Sequence, residues 1–319
     1  MKTEYTEKLV GSKIKFRPFF GQIMKDLLHE RQDVVFLVAD SGQACRFECT
    51  DEIKDRVIEC GIAEQNMVGV AAGMAHAGKK PVIFGFSPFV SERCFEQIKI
   101  DAAYSELNIV IVGGDAGVAV GTQGVTHYGW EDIALMRALP GMTIMCPCDH
   151  LEMYKCLIAA FELPGPVYLR LTGGIPKPLH ETDYFLEVGK SIELRAGNDA
   201  CIISTGTMVS VAIMAAEILE REGKSVSVIN MHTIKPLNDS AILCAAERVP
   251  VIISLEEHSI VNGLGSAIAD VLAEANLRVV FRKIGLPDSY PHVVSPYPQM
   301  LIDYHLTPEG VADTLRKLM

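Results

Sequence analysis

A carboxylate stands at Glu64, where a strand-like run over 56–59 passes through Cys60-Gly61-Ile62-Ala63 into a helical pattern. In a parallel sheet such a junction lies at the carboxyl edge, the edge at which these folds bind ligands. The small residues that follow, Gly69, Ala71, Ala72, Gly73 and Ala75, pack a helix closely on several sides and leave Glu64 poorly solvated. A first-turn Glu also suits the helix dipole with no further role. The glycine-rich run from Gly113 to His127 reads as a loop leaving a buried strand. It either lets backbone approach a ligand, with His127 able to exchange protons near neutral pH, or is a plain turn. It matches neither a P-loop nor a dinucleotide fingerprint. Phe86 and Phe89 follow another strand and have two uses, stacking on a planar ring or filling core. Arg170 ends a further strand, where a guanidinium grips an anion or closes a salt bridge. Asn262-Gly263-Leu264-Gly265-Ser266 opens a helix in the second half, as an anion site or as tight packing.

These positions depend on the elements around them. Continuous apolar runs at 34–39, 81–84 and 108–112, with shorter ones at 56–59, 143–145 and 167–169, read as strands buried on both faces. Helical periodicity fills 19–31, 63–77, 94–104, 131–138 and 150–161 between them. The alternation predicts an α/β fold with a doubly wound parallel sheet. The stretch TGGIPKPLHETD at 172–183 breaks the pattern and reads as an interdomain linker. Beyond it, strands at 200–204, 225–230, 250–255 and 278–283 alternate with helices at 208–222, 239–248, 265–275 and 308–318, a smaller second α/β domain.

Composition narrows the function. The chain has 319 residues with 29 Lys+Arg against 40 Asp+Glu, a formal charge of −11, which argues against nucleic acid or an anionic membrane surface as partner. The amino terminus is polar, without the apolar core of a secretory signal, and no run approaches the roughly 18 apolar residues of a membrane span. A soluble, cytoplasmic protein is expected. Nine cysteines without a CxxC pair, and no His pair at helical spacing, predict reduced and mostly buried thiols and no metal site in this chain.

The segments GIAEQNMVGVAAGMAHAGKKPV at 61–82, FEQIKIDAAYSELNIVIV at 95–112 and GVTHYGWEDIALMRALPGMTIMCPCD at 124–149 together closely resemble the carboxyl-terminal half of transketolase. The resemblance covers essentially the whole chain. It implies a thiamine-diphosphate pyrimidine-binding domain at 1–175 and a transketolase C-terminal domain at 176–319. It implies that Glu64 hydrogen-bonds N1′ of the aminopyrimidine and promotes the imino tautomer that activates the cofactor. Desolvation raises the pKa of such a Glu and lets it share a proton with a ring nitrogen. Phe89, with Phe86, matches the ring that stacks on the pyrimidine, and Asp40 falls in a cofactor-facing segment. The family's Gly-Asp-Gly and Asn that hold Mg²⁺ and the diphosphate are absent, since Gly114-Asp115-Ala116 is not that motif. The chain therefore resembles one subunit of a split transketolase, expected as α2β2, whose separate N-terminal subunit carries Mg²⁺ and the diphosphate.

The resemblance also implies a substrate pocket that departs from the usual one. His127 and Arg170 match a histidine that contacts substrate hydroxyls and an arginine that binds a sugar phosphate. Gln123 stands in place of an Asp that recognises a hydroxyl, and Asp115 in place of a phosphate-facing histidine. A carboxylate at that point should repel a dianion, so substrates other than the ordinary pentose-phosphate pair are expected. The activity implied is transfer of a two-carbon ketol unit from a ketose to an aldehyde. Two other readings stand beside it, the β subunit of a 2-oxo-acid dehydrogenase and a non-catalytic regulatory paralogue.

Overall fold

Runs of Val, Ile, Leu and Phe form the centres of two sheets in the computed structural model, which describes residues 9, 10, 12–174, 177–180, 182–292 and 294–319. The first domain comprises α1 (Phe16–Glu30), β1 (Val34–Val38), β2 (Val57–Glu59), α2 (Glu64–His76), β3 (Lys80–Phe86), α3 (Ser87–Ser91) and α4 (Phe95–Gln97). A π-helical stretch, Ile98–Tyr104, continues α4, and β4 (Val110–Ala116), α5 (Asp132–Arg137), β5 (Thr143–Met145), α6 (His150–Ala160) and β6 (Val167–Thr172) follow. The second domain holds β7 (Ile192–Arg195), β8 (Ala200–Ser204), α7 (Met208–Glu220), β9 (Val226–Asn230), β10 (Thr233–Lys235) and α8 (Asp239–Arg248). It closes with β11 (Val251–Ser259), α9 (Leu264–Glu274), β12 (Val280–Leu286), α10 (Tyr297–Asp303) and α11 (Pro308–Leu318).

The expected doubly wound sheet is present, with strand order β10-β5-β6-β4-β3-β1-β2, and every pairing but β10 with β5 is parallel. Strands β1, β4 and β6 are buried along their whole length, which is why their sequences run continuously apolar instead of alternating. One face is covered by α1 and α6 through Phe16, Phe19, Phe20, Ile23, Leu151 and Leu157. The other is covered by α2, the π-helical stretch and α5 through Met67, Val68, Ile98 and Ile133. Phe20 stacks on Phe84 of β3 with ring centroids 5.3 Å apart, and burying such a side chain contributes about 1.5–3 kcal/mol. The second sheet runs β12-β11-β8-β9-β7, antiparallel only between β7 and β9.

Register decides which residues reach the same edge. Val38 of β1 lies opposite both Glu59 of β2 and Phe84 of β3, and Phe86 lies opposite Gly114 of β4. The segments following β1, β2 and β3 therefore emerge side by side, carrying Asp40, Glu64 and Phe89, next to Asp115 near the end of β4.

The structure corrects several sequence expectations. The glycine-rich run is not a loop from its start: β4 continues through Gly113, Gly114 and Asp115 to Ala116. Gly113 is required there because a Cβ would lie 2.2 Å from the Tyr168 hydroxyl on the neighbouring strand. The helix expected at 94–104 is a short α-turn that widens into a π-helix. Strand β10 was not foreseen, being only Thr-Ile-Lys before a proline; it pairs Thr233 with Met145 and Lys235 with Ile144 at the edge of the first sheet.

The segment expected as a linker is no free tether. Thr172 belongs to β6 and its hydroxyl meets that of Thr207 at 3.0 Å. The amides of Leu179 and His180 both donate to Oδ2 of Asp149, at 2.9 and 3.0 Å. With β10 built into the first sheet, the two domains form one interlocked body. The expected boundary between 175 and 176 lies outside the described residues. All nine cysteines are free, with Cys49 and Cys244 exposed and six of the others buried. Among the described residues, no helix is long and apolar enough to cross a membrane.

Candidate active site

Helix α2 begins at Glu64 itself, with Ala63 as a non-helical N-cap that offers no side-chain acceptor. The Glu64 carboxylate thus sits beside unpaired first-turn amides, where a negative charge is favoured. It is 3% exposed, although the helix is not packed on several sides as expected, Gly69 and Gly73 being exposed. It is not isolated: Nη1 of Arg93 donates to both carboxylate oxygens, at 2.9 and 2.8 Å. The Arg93 backbone is tied down, its amide donating to the Pro88 carbonyl and its carbonyl accepting from Gln65 Nε2. Its guanidinium carbon lies 4.1 Å from the centroid of the Phe89 ring.

Phe86 closes β3 and Phe89 occupies α3, a short helix with Pro88 near its start, where a missing N–H is tolerated. Both rings are only half-buried and pack edge to face 5.9 Å apart, outside the four apolar cores. His127, at the end of a 3₁₀ turn, meets Phe86 at 5.7 Å and Phe89 at 5.1 Å. Its Nδ1 is 3.0 Å from the Thr126 hydroxyl. The second domain anchors the segment that presents it: Tyr128 and Trp130 enter that domain's core, and Ser259 N donates to the Trp130 carbonyl at 2.9 Å. The buried carboxylate of Glu257 accepts from Val118 N and from the Tyr297 hydroxyl, both at 2.8 Å.

Asp115, left-handed at φ 48°, is buried and lies 2.7 Å from Nη1 of Arg17 at the start of α1. Burial raises its pKa, with Arg17 and Lys15 pulling the other way. Arg17 also lies 5.1 Å over Phe86, which links Asp115 to the aromatic group. The acid expected to repel a phosphate thus has a cation at contact distance that offsets its charge. Asp40, left-handed at φ 53°, and Gln123 are exposed; Asp40 N donates to Glu59 Oε1 at 2.7 Å.

The structure contradicts a substrate role for Arg170. It is 1% exposed, its Nε donates to both oxygens of Asp132 at 3.1 and 2.8 Å, and its Nη2 donates to the carbonyls of Gly129 and Glu257. Asp132 also accepts from the hydroxyls of Ser87 and Tyr168, each at 2.7 Å. Arg170 therefore ties α5, β6 and the second domain together beneath the site. The helix start at Leu264 likewise holds an internal anion: Glu256 accepts from Leu264 N and Gly265 N at 2.7 and 2.8 Å.

Sequence reasoning missed Arg17, Arg93 and the Asp132 partner of Arg170. Arg93 carries a weak signal, one helical turn beyond Phe89; Arg17 carries none apart from its place at a helix start. Elsewhere, Cys148, Glu152 and His180 bring one ligand-type atom each within 4.8 Å of one another. Glu152 there already accepts from Cys148 N, Tyr184 and Asn230, at 2.7, 3.0 and 2.8 Å, which makes the group a hydrogen-bonded contact between domains.

Comparison with known proteins agrees with this architecture. Residues 12–175 match the transketolase pyrimidine binding domain and residues 189–311 the transketolase C-terminal domain. The chain belongs to the transketolase family. It is 36% identical over 308 residues to a subunit of the apulose-4-phosphate transketolase of Phocaeicola vulgatus, covering 96% of this chain and 98% of that one. It is 37% identical over 280 residues to the 6-deoxy-6-sulfo-D-fructose transketolase subunit SqwH of Clostridium sp. (strain MSTE9), covering 87% and 86% of the two chains. A solved split-gene transketolase, described as an inactive beta4 tetramer, superposes with a TM-score of 0.86 at 34% identity, covering 94% of this chain and 97% of that one.

Proposed function

We propose that this chain is the pyrimidine-side subunit of a split transketolase that moves a two-carbon ketol unit from a ketose to an aldehyde with thiamine diphosphate. The observation that carries this is the convergence of a buried Glu64, two half-buried rings and His127 at one sheet edge, in a chain built like the split-transketolase subunits. The residues fit the aminopyrimidine half of the cofactor: a carboxylate at a helix start for a ring nitrogen, and aromatic faces for stacking. A separate N-terminal subunit, in an α2β2 assembly, is assigned the diphosphate and Mg²⁺.

When bound, thiamine diphosphate supplies the nucleophilic carbon and the electron sink. Glu64 holds or shares the proton at N1′, in a site where little water competes. Phe89 and Phe86 orient the pyrimidine plane, and Asp40 lies at the same edge for cofactor contacts. His127, next to both rings, exchanges a proton with a substrate hydroxyl, and Gln123 on the same segment offers an amide rather than an acid. The Arg17–Asp115 pair gives the substrate end a cation and an acceptor together, which suits a hydroxylated sugar bearing an anionic group. The relatives act, by name, on apulose 4-phosphate and 6-deoxy-6-sulfo-D-fructose, a phosphate and a sulfonate. Arg170 has no part in substrate contact.

The assay combines the reconstituted complex with thiamine diphosphate, Mg²⁺, phosphorylated or sulfonated ketose donors and an aldehyde acceptor. A ketose two carbons longer than the acceptor, with no carbon dioxide from pyruvate, is the expected result. Carbon dioxide release from 2-oxo acids without ketol transfer would show a 2-oxo-acid dehydrogenase subunit instead.

A further inference from the structure

The Arg93 side chain stands where a cofactor ring has to go. To serve the function proposed above, an aminopyrimidine must do two things together, stack on a Phe89 face and present a ring nitrogen to Glu64. Arg93 does both: its guanidinium lies 4.1 Å over the Phe89 ring and bonds both Glu64 oxygens at 2.9 and 2.8 Å. A ring stacked at ordinary van der Waals separation on that face would occupy the same volume. On another side, Phe89 meets His127 edge to face at 5.1 Å, which narrows the alternatives for stacking.

Release needs no backbone rearrangement. The Arg93 main chain stays fixed through Pro88 and Gln65, whereas its side chain is 42% exposed against 4% for that of Glu64. The guanidinium is therefore free to turn toward water while Glu64 stays in place. We propose that Arg93 is a displaceable occupant of the aminopyrimidine slot, holding Glu64 and covering Phe89 until the cofactor takes its place, and so sets how tightly the cofactor is captured.

This rests on the thiamine-diphosphate reading, and the test separates the two. Thiamine diphosphate with Mg²⁺ is titrated calorimetrically into the complex of the partner subunit with wild-type, Arg93→Ala or Arg93→Gln chain. Loss of a partly exposed ion pair and its cation–π contact predicts about 5-fold tighter binding for Arg93→Ala. Arg93→Gln keeps a neutral hydrogen bond to Glu64 and falls between the two; it also serves if the Ala variant folds poorly. In a Glu64→Gln background the gain from Arg93→Ala shrinks, because the ion pair is already gone. Wild-type binding with equal or weaker binding by both variants overturns the displacement proposal alone. No binding by wild type or variants overturns the thiamine-diphosphate reading, and the proposal with it.

Discussion

Replacing Glu64 by Ala is expected to reduce two-carbon transfer by the reconstituted complex by about 10³-fold, within the range of 10²–10⁴ that a positioned proton-transfer group supplies. Folding should survive. Glu64 is the first residue of its helix, where Ala is a good helix former, and its charged partner Arg93 has access to water once released. The variant should therefore assemble with its partner and melt close to wild type while turnover collapses. Single-turnover and steady-state rates, read beside thermal denaturation, check both halves. Turnover within a few-fold of wild type would remove Glu64 from the chemistry and leave it as a helix-start charge.

Replacing Asp132 by Ala is expected to destabilise the chain by about 3–5 kcal/mol, the usual cost of leaving a buried charge without its partner. Arg170 would keep two carbonyl acceptors but lose the carboxylate that balances its charge. Tyr168 and Ser87 would each lose an acceptor as well. Burial pushes the Asp132 carboxyl up, but Arg170 and His258 outweigh it, so the net shift is downward. A lowered folded pKa means that this stabilisation is complete above the unfolded value of about 3.9 and is lost as pH falls through the folded value. Denaturant titration at neutral pH and again below pH 4, a window of acid loss set by about that unfolded value, should show the difference between wild type and variant shrinking. A neutral-pH loss well under 1 kcal/mol would mean that the ion pair is not the buried tie between α5 and β6 described.

The fold was legible where one physical cause dominated. Strands buried on both faces produce unbroken apolar runs, so β1, β3, β4, β5 and β6 could be placed; the small residues after Glu64 were a poorer guide, since Gly69 and Gly73 are exposed. Arg170 was misread because an arginine in a doubly buried strand looks the same whether it faces a ligand or an internal acid. The deciding partner, Asp132, lies 38 residues away. Arg17 and Arg93 were missed for a related reason: each acquires meaning only beside Asp115 or Glu64, contacts that no local periodicity encodes. Strand β10 has three residues and no pattern of its own, and it is a strand because the edge of the first sheet accepts it. A composition break showed where the chain leaves one domain but not that Asp149 would pin it.

On the proposed function, this chain supplies the pyrimidine side of a cofactor site completed by another subunit. Calorimetric titration of thiamine diphosphate and Mg²⁺ into the chain alone, the partner alone and their mixture tests it most directly. Saturable binding at one cofactor per pair of chains is expected in the mixture, far tighter than for either chain alone and weakened when Glu64 is replaced. Tight binding by the partner alone, unaffected by adding this chain or by changing Glu64, would contradict it.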